Sequence, residues 1–125
     1  MNFPENLKYT DSHEWVKVEG DTAIVGITEY AAGELGDVVF VDIPEARAVT
    51  LGETFGSIEA VKTVSDLIAP IAGTITEINA ELEGSPEVVN SDPYGNGWMV
   101  KMSIDDMSEV EGLMDAEKYK SLIGK

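Results

Sequence analysis

Lys62 is the sole basic residue between Arg47 and Lys101, and it stands in the stretch Gly56-Ser57-Ile58-Glu59-Ala60-Val61-Lys62-Thr63-Val64-Ser65-Asp66. A lysine amine can act as a base, form a Schiff base, or be acylated itself. The first two roles need a depressed pKa, set by an apolar pocket or an adjacent cation. Here the acidic neighbours are Glu59 and Asp66, which favour the ammonium form, and Ala60, Val61 and Thr63 are small or unreactive. An ordinary amine on a hairpin turn is poor as a catalyst and well suited to an enzyme that recognises and acylates it.

The remaining reactive side chains do not assemble a catalytic set. His13, between Ser12 and Glu14, has no nucleophile beside it and no second histidine with which to build a metal site, so packing or a structural hydrogen bond is its expected role. With no cysteine, the chain has no thiolate, disulfide or Cys-based metal site, and redox chemistry has to come from something attached or bound. Gly95-Asn96-Gly97 carries no P-loop lysine and follows no strand; with Asp92-Pro93 it reads as a turn that places Trp98 in a strand. Neither a catalytic residue nor a metal ligand is expected.

The elements that must present Lys62 are mostly short strands. Trp15-Val16-Lys17-Val18-Glu19 and Ala23-Ile24-Val25-Gly26-Ile27 flank Gly20-Asp21, a hairpin signal. Thr28 caps a brief helix over residues 29–35 that ends at Gly36. Strand character returns over 38–43, stops at Pro44, and recurs at 54–58, 63–67, 73–79 and 98–103. After Ser103, Met107, Val110, Leu113 and Met114 share one helical face, and Asp115 offers a cap for a second helix bearing Tyr119, Leu122 and Ile123. Many short strands with frequent turns argue for a small sandwich or barrel. Residues 36–42 laid over 73–79 pair Val38 with Ile75 and Val41 with Ile78, a faint repeat that would relate two halves by a pseudo-twofold axis near Lys62.

Composition bounds the partners. A chain of 125 residues, 43% hydrophobic, can bury one modest core, so one domain over residues 1–125 is expected. With 24 acidic against 8 basic residues the formal charge is -16, which opposes binding to nucleic acid or an anionic membrane and favours basic-surfaced proteins. No window has the length of a membrane span, and the first residues form neither a signal peptide nor a transit peptide. A cytoplasmic chain of prokaryotic type, or one stripped of an organelle leader, is expected.

The segment from Glu59 to Gly73 closely resembles the lipoyl-attachment segment of the glycine cleavage system H protein family. The resemblance continues through Tyr9-Thr10-Asp11-Ser12-His13-Glu14-Trp15-Val16, residues 26–31 and 35–41, Asn90 to Trp98, and Leu113 to Tyr119, so that nearly the whole chain is covered in order. It implies a mainly β, lipoyl-domain-like flattened barrel of two antiparallel sheets with short helices, with a lipoyl hairpin at about 56–68 and a C-terminal helical segment at about 105–123. Lys62 would then carry lipoate in amide linkage. The dithiolane would supply the sulfurs that the chain lacks, and the protein would be a carrier and shared substrate with no active site of its own.

The partners implied are a pyridoxal-phosphate glycine decarboxylase (P protein), which loads an aminomethyl group, and a tetrahydrofolate-dependent aminomethyltransferase (T protein), which removes it. A dihydrolipoyl dehydrogenase (L protein) reoxidises the dithiol, and a lipoyl ligase or a lipoyl/octanoyl transferase modifies Lys62. An aminomethyl thiol is a cationic amine prone to hydrolysis, so a carrier gains by seating it against carboxylates away from water. Ser12, Glu14 and Asp66 are the candidates for docking that arm. Ala60 stands where the family commonly has serine and Thr63 where it has alanine; both are small, so the turn is expected to survive. A biotin carrier resembles Met-Lys-Met around its lysine, and a 2-oxoacid dehydrogenase lipoyl domain lacks the Trp15 segment and the C-terminal helices. The alternative from another class is an H-like interaction module, or a lipoyl donor to other proteins.

Overall fold

A computed structural model describes residues 2–124. Its elements run β1 (Lys8–Tyr9), β2 (Glu14–Glu19), β3 (Thr22–Ile27), α1 (Glu29–Leu35), β4 (Val38–Asp42), β5 (Ala48–Val49), β6 (Thr54–Ala60), β7 (Val64–Ile68) and β8 (Gly73–Ile78). There follow α2 (Glu81–Gly84), α3 (Val88–Ser91), β9 (Val100–Ser103), α4 (Met107–Glu111) and α5 (Ala116–Ile123). A six-stranded sheet has the order β1-β2-β3-β9-β8-β5 and a three-stranded sheet the order β4-β6-β7, with every pair antiparallel. The mainly β, two-sheet architecture with C-terminal helices is therefore present. No described helix is long and apolar enough to cross a membrane.

Alternation makes the core. Val16, Val25, Ile75 and Met102 face inward from the large sheet and meet Val41, Phe55, Ile58 and Leu67 of the small one in a single buried cluster. A second cluster joins Phe3, Leu7, Tyr9 and Trp15 to Ala116 and Tyr119, which docks α5 on the outer strands of the large sheet. Tyr9 and Tyr119 stack there with ring centroids 4.9 Å apart, and Trp15 Nε1 donates to the Pro93 carbonyl at 2.9 Å.

Local signals set α1 and α5. Thr28 accepts from Ala31 N–H and Asp115 from Lys118 N–H, each filling an orphan donor of a first turn. Elsewhere distant partners override the local pattern. The Met107 to Met114 stripe is not one helix: α4 stops at Glu111, because Met114 exchanges both backbone hydrogen bonds with Tyr9 at 2.8 and 2.9 Å. The last strand begins at Val100 instead of Trp98, since the Trp98 carbonyl accepts from the Asn79 side chain and its N–H donates back to Gly95. The short helices α2 and α3 were not expected from sequence, and neither has a side-chain cap at Ala80 or Glu87.

The faint repeat has a structural counterpart. Register shifts by one residue between Val38 and Phe40 in β4, and between Ile75 and Glu77 in β8. The unpaired residues, Val39 and Thr76, are the ones that the overlay of 36–42 on 73–79 aligns.

Two glycines make opposite predictions. A Cβ on Gly26 would lie 2.7 Å from the indole of Trp15, itself 1% exposed, so Gly26→Ala should lower unfolding free energy in urea by about 1–3 kcal/mol. Gly33, inside α1, has nothing within 4 Å of such a Cβ. Gly33→Ala should raise stability by about 0.5–1 kcal/mol; equal effects of the two changes would contradict this packing.

Candidate functional site

Lys62 sits at the tip of the β6–β7 hairpin. Ala60 N–H donates to the Thr63 carbonyl at 2.8 Å to close the turn, and Val61 N–H donates to the Asp37 carbonyl at 3.0 Å, which ties the turn to the segment between α1 and β4. Asn90 of α3 fixes that segment from both sides: its Nδ2 donates to Gly36 O at 2.8 Å and its Oδ1 accepts from Val38 N–H at 2.9 Å. Sequence reasoning missed this role for Asn90, since nothing in the local pattern links residues 52 or 54 positions apart.

The Lys62 residue is exposed, yet its stem rests on the end of α1. Gly36 ends that helix at φ 80°, where its N–H donates to Ala32 O, and a Cβ added there would stand 3.3 Å from Lys62 Cε. Glycine thus serves both the left-handed backbone and the lysine lying over it.

A cleft of about 300 Å³ lies between α1 and β7, with Leu35, the residue before Gly36, in its wall. Leu35, Ile58 and Leu67 give it apolar walls. Ser12, Glu14 and Asp66, the three residues singled out from sequence, all line it, as do His13, Glu34 and Ser65. Their placement differs. Ser65 pairs with inward-facing Ile58, so it lies on the inner face of the hairpin with Leu67, while Asp66 pairs with Ser57 on the opposite face and reaches the cleft only at its rim. Counting by twos from Leu67 would have found Ser65 in the sequence.

Glu14 is 2% exposed, at the start of β2. Its Oε1 accepts from Thr10 Oγ1 and from Ser12 Oγ, each at 2.7 Å, while its own N–H donates to Thr10 Oγ1 at 3.1 Å. Burial pushes its pKa up to about 7, against the pull of those two hydroxyls and of the Ile68 backbone N–H; the negative charge of Asp11 adds to the rise. No cation is paired with it among the ion pairs of the described residues. The site is therefore a buried carboxyl, organised by hydroxyls, that gains from an incoming cation.

His13 takes an unusual backbone conformation at φ 72°. Its Nδ1 lies 2.8 Å from Tyr119 Oη, which lies 2.8 Å from Thr28 Oγ1, and the His13 carbonyl accepts from Thr28 N–H at 3.0 Å. Burial lowers the His13 pKa, opposed by Asp11 and Glu34, and burial raises that of Tyr119 to about 12. The expected structural hydrogen bond of His13 is thus present, and the residue also faces the cleft.

Comparison with known proteins agrees with this geometry. The profile of the glycine cleavage H-protein family matches residues 7–125. A glycine cleavage system H protein of Bacteroides thetaiotaomicron is 60% identical over 124 residues, 98% of each chain, and one of Staphylococcus carnosus is 56% identical over the whole of both. The crystal structure of a glycine cleavage system H protein from Mycobacterium marinum is 38% identical and superposes with a TM-score of 0.86, covering 98% of this chain and 100% of that one. A full-length match in sequence, together with the same lipoyl-domain-like fold, places this chain in the glycine cleavage H-protein family.

Proposed function

We propose that this protein is a lipoyl carrier of glycine cleavage, modified on Lys62, and that residues 1–125 form a single carrier domain whose cleft shelters the arm. The observation that carries this reading is the placement of the cleft: its wall residue Leu35 directly precedes Gly36, on which the Lys62 stem lies, and the cleft also contains the buried carboxyl of Glu14. When bound, lipoate supplies a disulfide that accepts electrons and a sulfur that bears the one-carbon cargo. The residues present fit it, with apolar walls for the acyl chain and Glu14 for a cationic end.

The chain's own residues do three things here. Val61 N–H and Asn90 hold the turn, so that Lys62 projects where another protein can reach it. Leu35, Ile58 and Leu67 exclude water from a seated arm. Glu14 accepts a hydrogen bond from the ammonium of the cargo, held in place by Thr10 and Ser12, with Asp66 adding negative charge at the rim. The partners are the glycine decarboxylase, the aminomethyltransferase and the dihydrolipoyl dehydrogenase, together with the ligase or transferase that modifies Lys62. Each must draw the arm out of the cleft, and a chain of net charge -16 favours basic docking surfaces on them.

Three measurements follow. Intact mass after expression with an active lipoyl ligase should show one lipoyl group on the wild type and none on Lys62→Arg, with glycine–bicarbonate exchange in the rebuilt system falling to background; modification or exchange retained by the variant would refute the assignment. Glu14→Ala should hydrolyse its aminomethyl cargo about tenfold faster, the consequence of losing one hydrogen bond to a charged group, whereas an unchanged rate would remove Glu14 from the docking role.

The third concerns pH. The folded state holds the Glu14 proton up to about 7, while the unfolded chain releases it near 4.5, so the folded state binds more protons between those values. The contribution to stability is complete below pH 4.5 and is lost as pH rises through 7. Urea unfolding of the unmodified protein should therefore lose stability across that window relative to Glu14→Gln, which lacks the titrating group; parallel profiles would show that Glu14 ionises normally.

A further inference from the structure

The hydroxyl chain behind the cleft fixes the tautomer of His13. Thr28 is 0% exposed and already accepts from Ala31 N–H, so its own O–H needs an acceptor, and Tyr119 Oη at 2.8 Å is the partner the structure gives it. Tyr119 has one proton; having accepted from Thr28, it donates to the remaining neighbour, His13 Nδ1, also at 2.8 Å. The reverse order would leave the Thr28 hydroxyl proton buried and unpaired. Neutral His13 therefore carries its proton on Nε2, the ring nitrogen that has no partner among the described residues, in a residue that lines the cleft.

Position along α1 tells what that donor would meet. Lys62 overlies Gly36 at one end of α1, while His13 bonds Thr28 at the other, about 12 Å away from the roughly 1.5 Å rise per residue. An arm rooted on Lys62 and seated along α1 would keep its amide near Gly36 and carry its sulfurs toward His13 and Glu14. We propose that His13 Nε2–H donates to the sulfur of the seated arm that does not carry the cargo, while Glu14 takes the cargo's ammonium, and that Tyr119 and Thr28 are positioning residues that hold His13 in the donor state. This rests on the reading of the cleft as an arm site. It gives the two ends of an S-aminomethyl dithiol separate partners, a carboxylate for the amine and a neutral N–H donor for the sulfur.

Long-range nitrogen-15 spectra test it in two stages. In the unmodified protein, Nδ1 should show the shift of an acceptor nitrogen and Nε2 that of a protonated one, and Tyr119→Phe, which keeps the stacked ring, should convert this to a mixture; the opposite tautomer in the wild type overturns the proposal. In the lipoylated protein, reduced and loaded with the aminomethyl group, the Nε2 proton should move downfield and exchange more slowly with water. His13→Asn, a residue that tolerates positive φ, should loosen the arm sulfur while the Glu14 side chain still responds to loading. Loading shifts at Glu14 without any at His13 would overturn the His13 role alone, and shifts at neither would overturn the cleft reading with it.

Discussion

The turn that bears Lys62 is held by a hydrogen bond its own hairpin does not supply. Val61 N–H reaches the Asp37 carbonyl, and Asn90 pins the residues on either side of Asp37. That contact joins the end of α1, the start of β4, the lysine turn and α3 at one place. A hairpin tip free of such a tie would fray, because its three turn residues are all exposed. With it, the lysine is at once accessible and fixed in direction, and its stem is laid on the end of the helix that also supplies a wall of the cleft.

Much of this was open to local reading. Thr28, Gly36 and Asp115 act through bonds within a few residues, and the helices they bound fall where sequence places them. Strand alternation located most of the core for the same reason. The Lys62 assignment came from resemblance, since composition and spacing alone describe only an exposed amine. What local reading could not reach depends on contacts between distant segments: the Tyr9–Met114 exchange that ends α4, the Asn79 side chain that displaces Trp98 from the last strand, and the Asn90 clamp. The cleft is of this kind too, for it exists because β7 and the start of β2 belong to different sheets and meet across α1. Ser12, Glu14 and Asp66 were named together from sequence, but the ranking of Glu14 as buried centre and Asp66 as rim is purely tertiary.

The strand bulges extend the point. An apolar spacing shared by two strands is weak evidence of a repeat, because any buried strand shows it. A bulge at Val39 and another at Thr76 adds an independent match, one that changes the direction of each strand at the same step. The two bulged strands lie in different sheets, as a pseudo-twofold relation between halves requires.

In the proposed carrier role, Glu14 would resolve a conflict built into holding a reactive cargo. A carboxylate that bound the ammonium too firmly would resist each partner, and one left exposed would be screened by water and give little protection. Burial and hydroxyl donors leave this acid with a pKa of about 7. Near neutral pH its protonated and ionised forms are close in free energy, so deprotonating it to meet a cation costs little. The cation then meets a charge that burial has made stronger than a surface carboxylate. When the cargo leaves, the site need not keep an uncompensated buried charge, because the carboxyl can regain its proton while Thr10 and Ser12 stay in place. In that role the acid would suit a ligand that comes and goes many times, with the proton as the alternative occupant.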